Sequence, residues 1–304
     1  MNGSIESVPA IIRKAAKQVV EYSACRFPRS FSPSGRLVLA YHGVRGVNAP
    51  REGERTLHLD EMQFERQLML LREVADVVSL PELLSSEGTS DRLIAITFDD
   101  AYASAVSNGV SRCVAIGMPC TIFVAPALLG LVPRWDILAN QGDWTSDRRS
   151  DFLRVEASGD TTLGVPPCPE TENLRLATAT ELQRVVFKSE LVTIGNHSFT
   201  HRNLGVLSRE AAHNDLSDAA RWLRNFAGPQ YIPVVAYPFG IPPKDPKIMA
   251  EIESEEVFGL LVSGGWIRRG MALQKTSVPR WNVPADISIN GFRARTLGRL
   301  MASS

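Results

Sequence analysis

Two adjacent carboxylates at the end of a short apolar run constrain the fold of this chain more than any other feature. Residues 94–98, Ile-Ala-Ile-Thr-Phe, have the length and composition of a buried strand, and Asp99 and Asp100 follow directly. In parallel α/β sheets and barrels, the carboxyl ends of the strands carry the chemistry. Two neighbouring acids are costly to bury unless they share a cation or a proton. The pair therefore predicts either a metal site or a solvated turn.

Two histidines four residues apart follow a second apolar run. His197 and His201 come just after residues 191–194, Leu-Val-Thr-Ile, and they are two of only five histidines in the chain. This spacing lets both imidazoles reach one ion, either on a helical turn or in a tight loop. An aspartate with two histidines leaves coordination positions open, which is typical of a catalytic metal site. A polar loop with unrelated histidines is the alternative.

Length and composition indicate an ordinary globular α/β protein. The 304 residues suffice for one large domain or two small ones, and the formal net charge of zero gives no bulk attraction to nucleic acid. No apolar run reaches the roughly 18 residues that a membrane span needs. The cysteines fit no zinc or redox spacing, which favours reduced thiols. They are Cys25, Cys113, Cys120 and Cys168.

Residues 1–35 are predicted to form a separate N-terminal helical segment. The apolar stretch over residues 8–20 is interrupted by Arg13, Lys14 and Lys17, so it does not resemble a secretory signal. We therefore expect a cytoplasmic protein. Packing of an amphipathic helix against the core is the favoured role of this segment, and peripheral contact with a membrane or a partner is the alternative.

Strand-like and helix-like segments alternate along residues 36–304. The predicted strands are residues 36–41, 76–80, 94–98, 119–124, 191–196, 234–237 and 257–262. The predicted helices are residues 60–74, 101–116 and 208–226, a helix after Pro246, and residues 286–301. This alternation predicts one α/β domain with a parallel sheet or barrel.

Residues 133–180 break the alternation and predict an insertion or lid over one end of the barrel. This region carries Trp135 and Trp144, many charges and a proline-rich stretch, without clear elements. Long loops of this kind are usually functional or mobile. Aromatic side chains here beside a long open groove would favour a glycan substrate. A closed pocket with basic side chains would favour a small anion.

Three motifs occur in a fixed order within residues 36–284. They are Thr-Phe-Asp-Asp at 97–100, His-Ser-Phe-Thr-His at 197–201 and Ala-Tyr-Pro-Phe-Gly at 236–240. Together they resemble the polysaccharide deacetylases, the NodB-homology domains of carbohydrate esterase family 4. The resemblance implies a distorted (β/α)7-type barrel, similar to a TIM barrel. It also implies a hydrolase that removes the N-acetyl group of an amino sugar in a polysaccharide, oligosaccharide or glycan precursor.

The resemblance further implies roles for single residues. Asp100, His197 and His201 would hold a divalent metal, with Zn²⁺ as the default and Co²⁺, Ni²⁺, Mn²⁺ or Fe²⁺ as alternatives. Asp99 would be the general base, and the backbone N–H of Phe239 would help to hold the oxyanion. The implied partner is an N-acetylated carbohydrate substrate, and no nucleic acid partner is expected.

The chain departs from the family pattern at two positions. No histidine follows His213, although the family has a Leu-x-His acid near its C-terminus, and Ala236 stands where the third motif begins with arginine. His42, in a Tyr-His-Gly-Val segment, resembles the acid histidine of a circularly permuted, exopolysaccharide-processing branch. It is our candidate general acid. Arg280 is our candidate for the charge that orients Asp99.

Each of these assignments has a plainer alternative. His42 would then only pack or hydrogen-bond at a strand end, and Arg280 would be a surface residue. Trp266 either lines the pocket or packs in the core. His58 and His213 are expected in a polar loop and a helix, without chemistry. At the level of function, the alternatives are hydrolysis of a small non-sugar amide and a non-catalytic sugar-binding relative.

Overall fold

The computed structural model describes residues 35–86, 92–159, 162–254 and 257–297. The helix expected over residues 8–20 and the end of the helix expected over residues 286–301 lie outside these ranges. None of the helices in the described ranges combines the length and the apolar character that crossing a membrane requires.

The strands of the described residues are short and follow the chain in two groups. The first group is β1 (Gly35–Tyr41), β2 (Gly43–Arg45), β3 (His58–Asp60), β4 (Asp76–Val77), β5 (Arg92–Phe98), β6 (Cys120–Val124), β7 (Val132–Pro133) and β8 (Gly164–Val165). The second group is β9 (Val192–Asn196), β10 (Tyr231–Ala236), β11 (Phe258–Leu260), β12 (Ile267–Arg268) and β13 (Trp281–Asn282).

Helices connect these strands in the alternation that the sequence predicts. They are α1 (Glu61–Val74), α2 (Leu80–Ser85), α3 (Ser111–Ala115), α4 (Arg134–Asn140), α5 (Ser146–Arg154), α6 (Ala179–Val186), α7 (Arg209–Ala227), α8 (Pro246–Ser254) and α9 (Ile289–Thr296). Ser208 caps α7 as expected, because its side chain accepts a hydrogen bond from the Ala211 N–H at 3.2 Å.

A nine-stranded sheet forms the centre of the protein, in the order β11-β10-β9-β6-β5-β1-β12. The pairings from β11 to β1 are all parallel, and only β12 is antiparallel to β1. Two short strands complete the sheet, with β4 beside β5 and β13 beside β1. From β1 through β5, β6, β9 and β10 to β11, neighbouring strands follow their order in the chain, as they do in a parallel barrel.

The segment that contains β13 bonds to both ends of this sheet. The Val278 N–H donates to the Gly259 carbonyl, and the Leu261 N–H donates to the Val278 carbonyl, both at 2.9 Å. A few residues later, Trp281 pairs with Leu39 of β1. Residues 278–282 therefore lie between β11 and β1, the two ends of the parallel part of the sheet. This confirms the expected distorted barrel.

β1 is an apolar run because both of its faces are covered. All seven of its residues are buried. Leu37 and Leu39 belong to the large core cluster that packs against the helices, whereas Val38 packs with Ala95 and Phe123 from the other strands. Parallel strands covered on both faces are typically continuous in hydrophobicity rather than alternating.

The helix expected over residues 101–116 begins late and is wound differently. Asp100 and Ala101 have positive φ values of 67° and 59°, so the chain turns sharply before any helix can form. A π-helical stretch follows at Ala105–Val110 and continues into α3. Within it, a Cβ on Gly109 would lie 2.8 Å from the ring of Phe98, so a larger residue would push the helix off the strand.

The region 133–180 has more structure than the sequence indicates. It contains α4, α5 and the antiparallel pair of β7 with β8. Trp135, Phe152 and Leu163 are buried in the large core cluster. Their burial was not predicted, because the many charged residues around them obscure the apolar pattern. Whether the region is an insertion into a barrel domain that begins at residue 36 stays a prediction.

The candidate active site

The structure brings the predicted site residues to one end of the barrel. Each of them follows the carboxyl end of a strand, except Arg280, which directly precedes β13. One pocket opens there, and its described lining residues are His42, Glu54, Thr56, Leu57, Asp99, Asp100, Trp135, Trp144, Arg149, His197, His201, Phe239, Val262 and Asn282. Arg280 lies below this surface, fully buried. The end of the barrel is the one that parallel folds use for chemistry.

Asp100, His197 and His201 form a buried trio with the geometry of a metal site. Their candidate ligand atoms all lie within 4.8 Å of one another. The Nε2 atoms of His197 and His201 are 3.3 and 2.9 Å from Asp100 Oδ1. That oxygen is buried and has no hydrogen-bond partner among the described residues. A carboxylate oxygen and two imidazole nitrogens are a donor set that divalent transition metals bind.

A hydrogen bond orients one ring of the trio, and neighbouring charges keep its carboxyl group ionised. His197 Nδ1 lies 2.7 Å from the Ala236 carbonyl and donates to it, so Nε2 is the ring nitrogen that faces Asp100. Burial raises the pKa of Asp100, but the nearby His201 and His197 outweigh it and hold that pKa well below its usual range. The carboxylate is therefore ionised.

Asp99 and Arg280 form a buried, bidentate ion pair. Arg280 donates to Asp99 Oδ1 at 2.7 Å and to Oδ2 at 2.8 Å, and its Nε donates to the Leu261 carbonyl at 2.7 Å. The guanidinium also lies 5.4 Å from the ring centre of Phe123. Burial alone would raise the pKa of Asp99, but Arg280 brings it below its ordinary value. Arg280 is thus not the surface residue of the plainer alternative.

His42 shares the pocket with both carboxylates. It follows β1 directly and is only half-buried. Burial lowers the pKa of its imidazole, and Asp99 and Asp100 oppose that shift by favouring the protonated form. Its side chain lines the pocket and lies within the electrostatic field of the two acids.

Backbone strain is concentrated at this end of the barrel. In the described chain, five of the six non-glycine residues with positive φ lie in the turns that carry the site, and the sixth is Asn48. The five are Asp100, Ala101, Ser198, His201 and Phe239. Such conformations cost about 1–3 kcal/mol each and cluster at functional sites. A pattern of apolar residues carries no information about them.

The turn between the two histidines is a tight loop rather than a helical turn. The Asn196 side chain accepts from the Ser198 N–H at 2.8 Å, and Ser198 Oγ accepts from the His201 N–H at 3.0 Å. Asn196 also donates to the Leu216 carbonyl of α7 at 2.9 Å. These short polar side chains replace the missing backbone bonds and fix both imidazoles toward Asp100.

Aromatic rings build one wall of the pocket. The Trp135 ring centre lies 4.9 Å from that of His201 and 5.9 Å from that of Phe239. Trp144 lines the same pocket, with Glu54 and Arg149. Trp266, a candidate for this wall, instead donates its indole N–H to the Arg295 carbonyl at 2.9 Å. Glu54 and Arg149 were not predicted, because a single charged residue in a loop or on a polar helix has no distinguishing pattern.

The expectation for His58 was wrong. The residue lies in β3 rather than in a polar loop, and it is buried, with Nε2 3.0 Å from Asp136 Oδ1. Its partner is 78 positions away in the chain, so no local pattern could reveal the contact. His213 lies in α7, as expected, and pairs at the surface with Glu251.

Residues 86–254, more than half of the chain, match the polysaccharide deacetylase family. The chain therefore belongs to this family and is a hydrolase that acts on the N-acetyl amide bonds of sugars. The match contains the acidic pair and both histidines of the trio. No curated protein matches the chain by sequence.

Solved structures with this fold are similar in shape and distant in sequence. The Streptococcus pyogenes deacetylase PplD, solved with acetate, has a TM-score of 0.61 at 15% identity, over 87% of this chain and 99% of its own. A polysaccharide deacetylase from Bacillus cereus gives 0.61 at 15%, over 87% and 69%. IcaB from Ammonifex degensii gives 0.60 at 18%, over 88% and 98%. At such identities the likeness shows the fold.

Proposed function

We propose that this protein is a divalent-metal-dependent deacetylase of an N-acetylated amino sugar in a polysaccharide, oligosaccharide or glycan precursor. One observation carries the proposal. The ligand atoms of Asp100, His197 and His201 lie within 4.8 Å of one another, beside the buried ion pair of Asp99 with Arg280. A ligand trio next to a separate, oriented carboxylate is the arrangement that metal-assisted amide hydrolysis requires.

The trio would hold the metal. The Asp100 oxygen, which has no hydrogen-bond partner among the described residues, and the His197 Nε2 that faces it fit a cation. Zn²⁺ is the default, and Co²⁺, Ni²⁺, Mn²⁺ or Fe²⁺ accept the same donors. Such an ion supplies Lewis acidity to the amide carbonyl and lowers the pKa of a water molecule.

Asp99 takes the proton of the attacking water. Arg280 holds both of its oxygens and keeps it ionised, and each oxygen retains a second lone pair for that proton. The same ion pair fixes the direction of the carboxylate, so the base does not have to be ordered in each turnover. Arg280 then takes the place of the arginine that the third motif lacks.

Phe239 and His42 complete the reaction. The Phe239 N–H, turned by a φ of 57°, donates to the oxyanion, and one such donor is typically worth about 3 kcal/mol. His42 gives its proton to the departing amine. His42 follows the first strand, as the acid histidine does in the permuted branch. It can reach the site because β1 pairs with β13, the strand that follows Arg280.

The pocket wall favours a glycan over a small anion. Trp135 and Trp144 offer aromatic faces, on which the apolar side of a sugar ring packs. Glu54 at the same pocket opposes an anionic ligand, and Arg149 is the only cationic side chain among the described lining residues besides the histidines. This balance supports a neutral N-acetyl sugar.

Acetate release from a panel of N-acetylated oligosaccharides tests the proposal. The assay is run on the protein as purified, after chelation, and after Zn²⁺ is added back. We expect acetate release that chelation removes and added metal restores. Asp99→Asn is the matched inactive control, because it keeps the trio. The proposal fails if no sugar in the panel is deacetylated, or if the metal-stripped protein turns over at the original rate.

A further inference from the structure

One wall of the pocket rests on a buried network of polar side chains. Asp136 is fully buried, and its Oδ1 accepts from the Glu54 N–H at 2.7 Å and lies 3.0 Å from His58 Nε2. Its Oδ2 accepts from the Tyr102 hydroxyl at 2.6 Å. That hydroxyl accepts in turn from the Trp135 indole N–H at 3.0 Å. We call these four side chains, Asp136, His58, Tyr102 and Trp135, the brace.

The brace reaches three separate parts of the pocket. Through the Glu54 amide it fixes the loop before β3, which lines the pocket with Thr56 and Leu57. Through Tyr102 it holds the Trp135 ring, whose centre lies 4.9 Å from that of His201. His58 of the brace lies in β3, and β3 pairs with β2, which begins at the residue after His42.

Two glycines leave the space that the brace occupies. A Cβ on Gly43 would lie 2.2 Å from His58 Nδ1. A Cβ on Gly53 would lie 2.5 Å from Asp136 Oδ1 and 2.8 Å from His58 Nε2, and Gly53 also has a φ of 76°. The loop is thus closely fitted around the two side chains, and its position depends on theirs.

The burial of the brace is by itself weak evidence for a role in barrel stability. A buried carboxylate is tolerated only when donors satisfy it, and apolar residues of similar volume are often at least as stabilising. Asp136 receives three donors, all from the elements around the pocket and none from a strand of the nine-stranded sheet. Buried polar groups placed in this way fix geometry rather than add stability.

We propose that Asp136 and Tyr102 are positioning residues for the deacetylation reaction. They hold Trp135 against His201 and Phe239 and hold the Glu54 loop in place, and so they set the width of the space for the acyl group. Among the described residues, the pocket lining includes Trp135 but neither Asp136 nor Tyr102. The two residues therefore act through Trp135 and the loop. This inference rests on the proposed function.

Kinetics of Tyr102→Phe test the positioning role. The variant removes the hydroxyl between Asp136 and Trp135 and keeps the ring. We expect KM for an N-acetylated oligosaccharide to rise about tenfold while kcat changes less than about threefold, because binding geometry is lost and the reacting groups remain. We also expect the ratio of N-propionyl to N-acetyl turnover to rise. Asp136→Asn should shift both quantities in the same direction.

Thr121→Val is the matched control. Its hydroxyl is equally buried and makes one side-chain hydrogen bond, to Thr193 Oγ1 at 2.8 Å, below the pocket in β6. It should lower stability without moving KM or the acyl ratio. If Tyr102→Phe behaves like this control, or lowers kcat alone, the positioning role is wrong.

Indole hydrogen exchange provides a readout that does not depend on turnover. The chain has five tryptophans, and Trp135→Phe identifies the Trp135 N–H signal in a nitrogen-resolved NMR spectrum. In folded Tyr102→Phe, that signal should exchange at least about tenfold faster than in the parent. Unchanged exchange overturns the brace. A parent protein that releases no acetate overturns the proposed function instead, and the exchange result then decides the brace by itself.

Discussion

Two buried aspartates contact histidines in this protein, and they differ in what is left unsatisfied. Asp100 Oδ1 lies near two Nε2 atoms and has no hydrogen-bond partner among the described residues. Both oxygens of Asp136 are satisfied, by the Glu54 amide, His58 and Tyr102. A buried carboxylate oxygen flanked by imidazole nitrogens can take a cation as its partner, whereas one that already accepts hydrogen bonds has less need of one. This difference supports the proposal that the first cluster binds a metal and that the second one positions the pocket wall.

The backbone shows the same contrast. Asp100 and His201 both have positive φ, so their placement is held at a cost. His58 lies in β3, and Asp136 lies in the first turn of α4, where the helix dipole favours a negative charge. Positive φ thus occurs at two members of the first cluster, whereas His58 and Asp136 of the second lie in a regular strand and helix.

Removing a histidine from the first cluster should have the largest effect. His197→Ala takes away one of the trio's ligands, and we expect metal content to fall with turnover, the latter by about 1,000-fold or more. Elemental analysis and acetate release measure the two. His213→Ala, at an exposed histidine, should keep both at the parent level. Full metal occupancy in His197→Ala would contradict the assignment of the trio.

Asp99→Asn should separate chemistry from metal binding. The variant loses the base but keeps the trio, so turnover should fall by roughly 100- to 10,000-fold with the metal retained. Metal content, the unfolding midpoint and acetate release are measured on the same sample. A variant that turns over at nearly the parent rate would show that Asp99 is not the base.

The second cluster should respond in the opposite way to the first. Asp136→Ala leaves the His58 and Tyr102 donors buried without their acceptor, and we expect a loss of about 3 kcal/mol in the free energy of unfolding. Metal content per folded molecule should stay at the parent value. Urea unfolding and elemental analysis check the two halves. Loss of metal with unchanged stability would remove the distinction between the clusters.

His42 belongs to neither cluster, and its removal should cost less activity than the removal of His197. His42→Ala lacks the proposed general acid, for which about 100-fold in kcat is the usual scale. Acetate release over a range of pH is the measurement, with metal content as the control. A loss of less than about tenfold would return His42 to a packing role.

Local sequence patterns predicted most of the strands and singled out the acidic pair and the two histidines, whereas the choice of Asp100 as their partner came from the family resemblance. The apolar run before Asp99 and the spacing of His197 and His201 are readable without a structure. Arg280 came from a family resemblance, since its contact with Asp99 joins positions 181 apart. Such pairs follow from the closing of the barrel and not from any local pattern.

The missed features have a common physical origin. The positive φ of Phe239, the π-helical turn of Ala105–Val110 and the brace around Asp136 all arise where tertiary contacts override local preference. The tryptophan of the pocket wall is Trp135 rather than Trp266 for the same reason. Which ring faces the site depends on chain segments far apart in sequence.

Anomalous scattering from a crystal grown with Zn²⁺ tests the central claim most directly. The account predicts one strong peak within bonding distance, about 2.0–2.2 Å, of an Asp100 carboxylate oxygen and of Nε2 in both His197 and His201. No peak should appear between His58 and Asp136, because both Asp136 oxygens already accept hydrogen bonds. An ion at that second cluster, or none at the first, would contradict the account.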